Sequence, residues 1–166
     1  ANAEVVILDS SKDGLQQMAD YLRGRQGIDA VHILSHGQRA DLMLGRTELT
    51  LANLASRGAE LATIGDALKP EGDILLYGCS IGEGDQGERF VTELARYTHA
   101  DVAASTDATG AARLGGDWTL ERNSGQIDVA GLHFSYDALL ARPVTGTTDF
   151  TSKDGYSYNP SGSVVN

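Results

Sequence analysis

Four apolar runs, at Glu4–Leu8, Ala30–Leu34, Asp73–Tyr77 and Asp101–Ser105, alternate with segments of helical spacing, and this alternation restricts the fold more than any other feature. Runs of about five residues bounded by turn residues fit buried strands, being too short for buried helices. Between the first two, Leu15, Met18, Ala19 and Leu22 form a helical stripe that stops at Gly24. From Thr50 to Leu68 the residues Leu54, Leu61, Ile64 and Leu68 predict a second helix, broken near Gly58 and ended by Pro70-Glu71-Gly72. Phe90, Val91, Leu94 and Tyr97 give a third, with Asp85 and Glu88 in the form of a capping box at its start. Strands alternating with helices in this way predict an α/β fold, a sandwich around a mainly parallel sheet.

Two excursions depart from the alternation. Apolar residues on both sides of Gly45-Arg46, within Leu42–Leu51, predict a small hairpin. Trp118–Leu120 and Gln126–Val129, flanking Asn123-Ser124-Gly125, predict a C-terminal β-hairpin. After Arg142 the sequence turns polar and rich in Gly, Thr and Ser, so residues 1–142 are read as the domain and 143–166 as a linker or C-terminal tail.

Composition removes several function classes. The net charge is −10, with 23 acidic against 13 basic side chains, which opposes binding to a phosphate backbone, and nucleic acid is not an expected partner. No apolar run approaches the ~18 residues that span a bilayer, so membrane insertion is not expected. The single cysteine, Cys79, excludes an internal disulfide framework and a multi-cysteine metal site; neither a metal nor another cofactor is expected. Cys79 therefore acts alone or not at all.

Ligands gather at the C-terminal ends of strands in open parallel sheets. Two of the expected strands end in reactive residues: one gives Ser35-His36-Gly37, the other Gly78-Cys79-Ser80. An imidazole beside a thiol supplies a base or an ion-pair partner that raises the thiolate fraction. Attack on a peptide carbonyl then creates an oxyanion, which backbone N–H groups at Gly37 and Cys79 are placed to stabilise. Gly37 and Gly78 would let substrate approach without a Cβ in the way. A lone cysteine is ordinarily a small core hydrophobe and a lone histidine a surface or cap residue; the pairing, each after a strand and beside a glycine, is what favours chemistry. His32, within a strand, reads as structural, Trp118 as a core anchor, and His99 and His133 carry no role.

The blocks Ser35-His36-Gly37 and Gly78-Cys79-Ser80-Ile81-Gly82 resemble the signature of the caspase, gingipain, clostripain, legumain and separase clan of cysteine peptidases, with Gly before the cysteine as in separases. The likeness covers roughly Glu4 to Leu120. It implies a caspase-like three-layer α/β/α sandwich and a cysteine endopeptidase with His36 and Cys79 as its dyad. Asp107, and more weakly Asp85, would lie under the substrate's P1 side chain and select Arg or Lys. For Asp107 a turn or cap role is an equal reading, and capping already accounts for Asp85. The chain also resembles a domain near the N-termini of very large secreted bacterial adhesins. That likeness implies a secreted or cell-surface setting, a polypeptide substrate that includes the parent chain, and calcium only by analogy. Self-processing follows as an expectation, with Lys153 as an accessible basic site.

Two rivals stay open. One is a catalytically silent module of the same fold that serves in adhesion or docking. The other is a nucleotide site at Gly82, Gly84 and Gly87, which spell Gly-x-Gly-x-x-Gly between a strand and a helix. Glu83 and Asp85 oppose the second, because they would set negative charge beside a pyrophosphate.

Overall fold

The structure is a computed structural model that describes residues 3–142 and the backbone of two short paired strands farther on, at Tyr158–Asn159 and Ser163–Val164. Most of the expected tail, 143–166, lies outside the described residues, as does Lys153.

Helix α1, Gly14–Leu22, starts where the Asp13 carboxylate accepts the Gln16 N–H, and it buries Leu15, Met18, Ala19 and Leu22. Strand β1, Ile28–Leu34, follows. A small antiparallel sheet comes next, made of β2 (Gly37–Gln38), β3 (Asp41–Leu44) and β4 (Thr47–Thr50), with the β3–β4 turn at Gly45-Arg46 as expected. A 3-10 turn at Ala55–Arg57 leads into α2, Gly58–Ala67, so the predicted break at Gly58 is where the helix type changes. Strand β5, Leu68–Tyr77, helix α3, Gly84–Thr98, and strand β6, Asp101–Ala104, complete the alternation.

The central sheet has the order β1-β5-β6-β7, with β1, β5 and β6 parallel and the two-residue β7, Arg122–Asn123, antiparallel. Period-2 alternation splits its side chains between two layers. Ile74, Leu76, Val102 and Ala104 join one apolar cluster with the buried faces of α1, α2, α3 and the small sheet. Leu75, Tyr77 and Ala103 point the other way, into a second cluster covered by residues from Ala108 to Leu140. The expected α/β sandwich with a mostly parallel sheet flanked by helices is therefore present. Among the described residues, all three α-helices join the first cluster, and the layer over the second carries only a 3-10 turn, at Ala112–Leu114.

Three local expectations differ. Glu4–Leu8 forms no strand; Val5 and Ile7 are 86% and 66% exposed, and Glu4 is tied instead to Tyr21 and Arg25 of the α1 region. An apolar run states a preference for burial, but a strand also needs a neighbour for its backbone. Asp85 and Glu88 form no capping box: the cap of α3 is Glu83, which makes no side-chain capping bond, and Asp85 falls inside the first turn, where its charge suits the helix dipole. Neither expected arm of the C-terminal hairpin, Trp118–Leu120 or Gln126–Val129, forms a strand; the strand found there, Arg122–Asn123, reaches into the expected turn and pairs with β6. Ser124 does not turn back; its N–H donates to the Val102 carbonyl and its hydroxyl accepts the Val102 N–H, extending the run along β6.

Side chains then do what a ladder would have done. The buried Asp73 carboxylate accepts the N–H groups of Asp128 and Val129 at 2.9 and 3.1 Å, and the Tyr77 hydroxyl accepts that of Leu132 at 2.8 Å. Trp118 packs edge-on against Phe134 and tilted against Tyr77, the anchor expected of it. Replacing Asp73 with Ala leaves two donors without acceptors and is expected to cost about 2–4 kcal/mol in urea unfolding. Amide exchange should speed up first at Asp128 and Val129; a loss below ~0.5 kcal/mol would contradict this role for Asp73.

Candidate active site

Strands β1 and β5 end side by side, with Leu34 opposite Tyr77 and the Ser35 N–H donating to the Tyr77 carbonyl at 3.0 Å. The two reactive loops therefore leave the sheet as neighbours. They are packed so closely that neither glycine tolerates a side chain. A Cβ on Gly37 would stand 2.5 Å from Ile81 Cγ1, and one on Gly78 would stand 2.7 Å from the Ser35 carbonyl oxygen. The expected reason for these glycines was access for substrate; their neighbours show that loop-to-loop packing demands them. Beyond the cysteine, Ser80 adopts a left-handed φ of 58° and its N–H donates to the Asp107 carbonyl at 2.7 Å, which turns the chain sharply away.

His36 and Cys79 are buried, 3% and 6% exposed. Burial pushes the His36 imidazole below its ordinary pKa, against hydrogen bonds to the backbone of Ala141 and Leu140 that favour the charged ring. Burial pushes the Cys79 thiol up; the backbone N–H groups of Thr109, Cys79 and Leu140 oppose it, and the charge on Asp107 adds to it. The Thr109 N–H lies 3.2 Å from Sγ, and the thiol faces the Thr109 carbonyl at 3.6 Å. The resting pair is a neutral thiol and a neutral imidazole, which meet at the backbone of one residue, Leu140.

The backbone donors converge there as well. The N–H groups of Gly37 and Cys79 both donate to the carbonyl oxygen of Leu140, at 3.1 and 3.2 Å. Two donors from different loops thus address a single oxygen beside a thiol and an imidazole. Such convergence is the geometry of an oxyanion pocket.

The other sequence candidates lie outside this focus. Asp107 is exposed, and Asp107, Asp117 and Glu121 bring carboxylate oxygens within 4.8 Å of one another. Parts of that trio are already engaged, since Glu121 accepts from the Thr106 N–H and hydroxyl and Asp117 from the Thr119 N–H. Partial desolvation, with the charges of Glu121 and Asp117, raises the exposed Asp107 carboxyl above its usual pKa. Asp85 is exposed on α3. The glycine motif has a packing explanation: a Cβ on Gly87 would lie 2.2 Å from the Gly82 backbone, and Glu83 is ion-paired with Arg39 at 2.6 Å. His32 stacks on Tyr77, as a structural histidine does.

Thr109 and Leu140 escape sequence reading. Both act through backbone atoms, and an alanine or a valine in their place would present the same groups.

The model of one family, described as a domain of unknown function (DUF4347), matches residues 1–141. Neither a curated protein nor a solved structure matches the chain.

The raised thiol has a direct consequence. Alkylation of Cys79 in the folded protein should rise with pH through a midpoint above the ~8.5 of a free thiol. Iodoacetamide rates from pH 6 to 10 measure it; a midpoint below about 7.5 would mean a resting thiolate–imidazolium pair instead.

Proposed function

The chain belongs to the family described as a domain of unknown function (DUF4347), and for it we propose the activity of a cysteine endopeptidase of the caspase-like kind. The observation that supports this reading is the pair of backbone N–H groups, from Gly37 and Cys79, aimed at one carbonyl oxygen beside the thiol and the imidazole. A carbonyl held in that way is polarised before attack, and the donors need no rearrangement as charge develops on the oxygen.

In the proposed reaction the neutral His36 takes the Cys79 proton as the sulfur adds to the substrate carbonyl carbon. The resulting oxyanion accepts from Gly37 and Cys79. Collapse breaks the C–N bond, and His36 returns its proton to the leaving amine. Water, deprotonated by His36, then hydrolyses the thioester, restoring the thiol and releasing a carboxylate. The substrate is a polypeptide; the resemblance to domains of giant secreted adhesins extends the proposal to processing of a large secreted or surface protein, the parent chain included.

One observation favours a second reading, a silent docking module: the thiol is covered and both donors are already engaged. A peptide carrying a thiol-reactive ketone separates the two. The peptidase reading expects labelling of Cys79 that vanishes in Cys79→Ala and slows ~10²-fold or more in His36→Ala. Absence of labelling from pH 6 to 9 supports the module.

A further inference from the structure

Residues 138–142 cross the candidate site with the hydrogen bonds of a bound substrate. On one side they pair antiparallel with the loop after β6: the Ala111 N–H donates to the Ala138 carbonyl at 2.9 Å, the Leu140 N–H donates to the Thr109 carbonyl at 2.8 Å, and Gly110 bridges Leu139. On the other side Ala141 bridges Gly37 in parallel, and the Arg142 N–H donates to the Gly37 carbonyl at 3.3 Å. Between these anchors the Leu140 carbonyl takes both oxyanion donors, while the His36 imidazole hydrogen-bonds the backbone of Leu140 and Ala141, the two residues that flank a single peptide bond. A strand placed only to complete the fold would require the ladder. It would not require nucleophile, base and oxyanion donors gathered at one amide.

We propose that the peptide bond Leu140–Ala141 is the one this site cleaves in its own chain, and that the site selects an apolar P1 side chain. The inference rests on the peptidase reading above. Cys79 sulfur adds to the Leu140 carbonyl carbon, the C–N bond breaks, and His36 protonates the Ala141 nitrogen. One water then converts the Leu140 thioester to a carboxylate, leaving a chain that ends at Leu140 and a fragment that begins Ala141-Arg142.

Side chains on both flanks agree with this assignment. Leu140 is 6% exposed and belongs to the apolar cluster of Leu75, Tyr77 and Ala103. The expected preference for Arg or Lys rested on Asp107, which is exposed, and on the likeness to separases. On the leaving side Arg142 is ion-paired with the buried Asp41 at 2.6 Å and with Glu48, so the new amine terminus starts from a held position. Ala141 is exposed, leaving space beside the bond for water after the fragment departs.

The test uses the 166-residue chain. Wild type, Cys79→Ala and Ala141→Pro are incubated and read by intact mass and N-terminal sequencing. Alongside them, a peptide Asp137–Arg142 and its counterpart with Lys in place of Leu140 are offered to the wild type, and the ketone probe is applied to each protein. Expected are a new N-terminus at Ala141, a first-order rate unchanged on ~100-fold dilution as cis cleavage requires, no cleavage in Cys79→Ala, a loss of ~100-fold or more in Ala141→Pro, and the Leu peptide cut at least ~10-fold faster than the Lys peptide. If Cys79 is labelled or cuts elsewhere while 140–141 stays intact, the inference falls and the peptidase reading stands. Equal cutting of both peptides overturns the apolar P1. No Cys79-dependent labelling or hydrolysis at all removes both. Should Ala141→Pro fail to fold, the comparison of wild type with Cys79→Ala decides the matter.

Discussion

The carbonyl oxygen of Leu140, held by the N–H groups of Gly37 and Cys79, ties together parts of the chain more than sixty residues apart in sequence. That contact joins residues 138–142 to the loops after β1 and β5, which the parallel pairing of the two strands already sets side by side. With it, the buried thiol and imidazole face a peptide group rather than solvent. Their burial raises the thiol pKa and lowers that of the imidazole, so the pair rests uncharged. A buried ion pair would need the surrounding dipoles to repay desolvation, whereas a neutral pair does not.

The sheet prepares this meeting. Parallel pairing of β1 with β5 sets Leu34 beside Tyr77, so whatever follows each strand emerges at one edge. Gly37 and Gly78 then let the two loops touch through Ile81 and the Ser35 carbonyl. The opposite sheet face is closed by an irregular segment whose backbone is satisfied by Asp73 and Tyr77 side chains. That segment runs on to 138–142, so the residues that seal the second cluster also deliver Leu140 to the crevice.

Much of this was legible in the sequence. The alternation of apolar runs with helical stripes gave α1, α2, α3 and the parallel strands, and the residues after Leu34 and Tyr77 gave a histidine and a cysteine on neighbouring loops, because periodicity and strand ends depend on local side chains. Glu4–Leu8 misled for the converse reason: its hydrophobicity is local, whereas the pairing that makes a strand is not. The missing hairpin has the same origin, since Ser124 bonds to Val102 and Asp73 binds the N–H groups of Asp128 and Val129, contacts spanning about twenty and fifty-five residues. The position of Leu140 was illegible because it depends on main-chain atoms. Asp107, expected under a P1 side chain or in a turn, is exposed, and its charge reaches the Cys79 thiol.

The central claim is that one carbonyl accepts from two particular amides, and scalar couplings across hydrogen bonds report that directly. In Cys79→Ala, which keeps the chain intact and retains the backbone donor, selective ¹³C′ labelling of leucine with uniform ¹⁵N should show couplings from the amides of residues 37 and 79 to the same Leu140 carbonyl. Both amides should also exchange slowly with solvent. Couplings absent at both positions, with rapid exchange, would mean that the pocket stands open and that 138–142 does not occupy it.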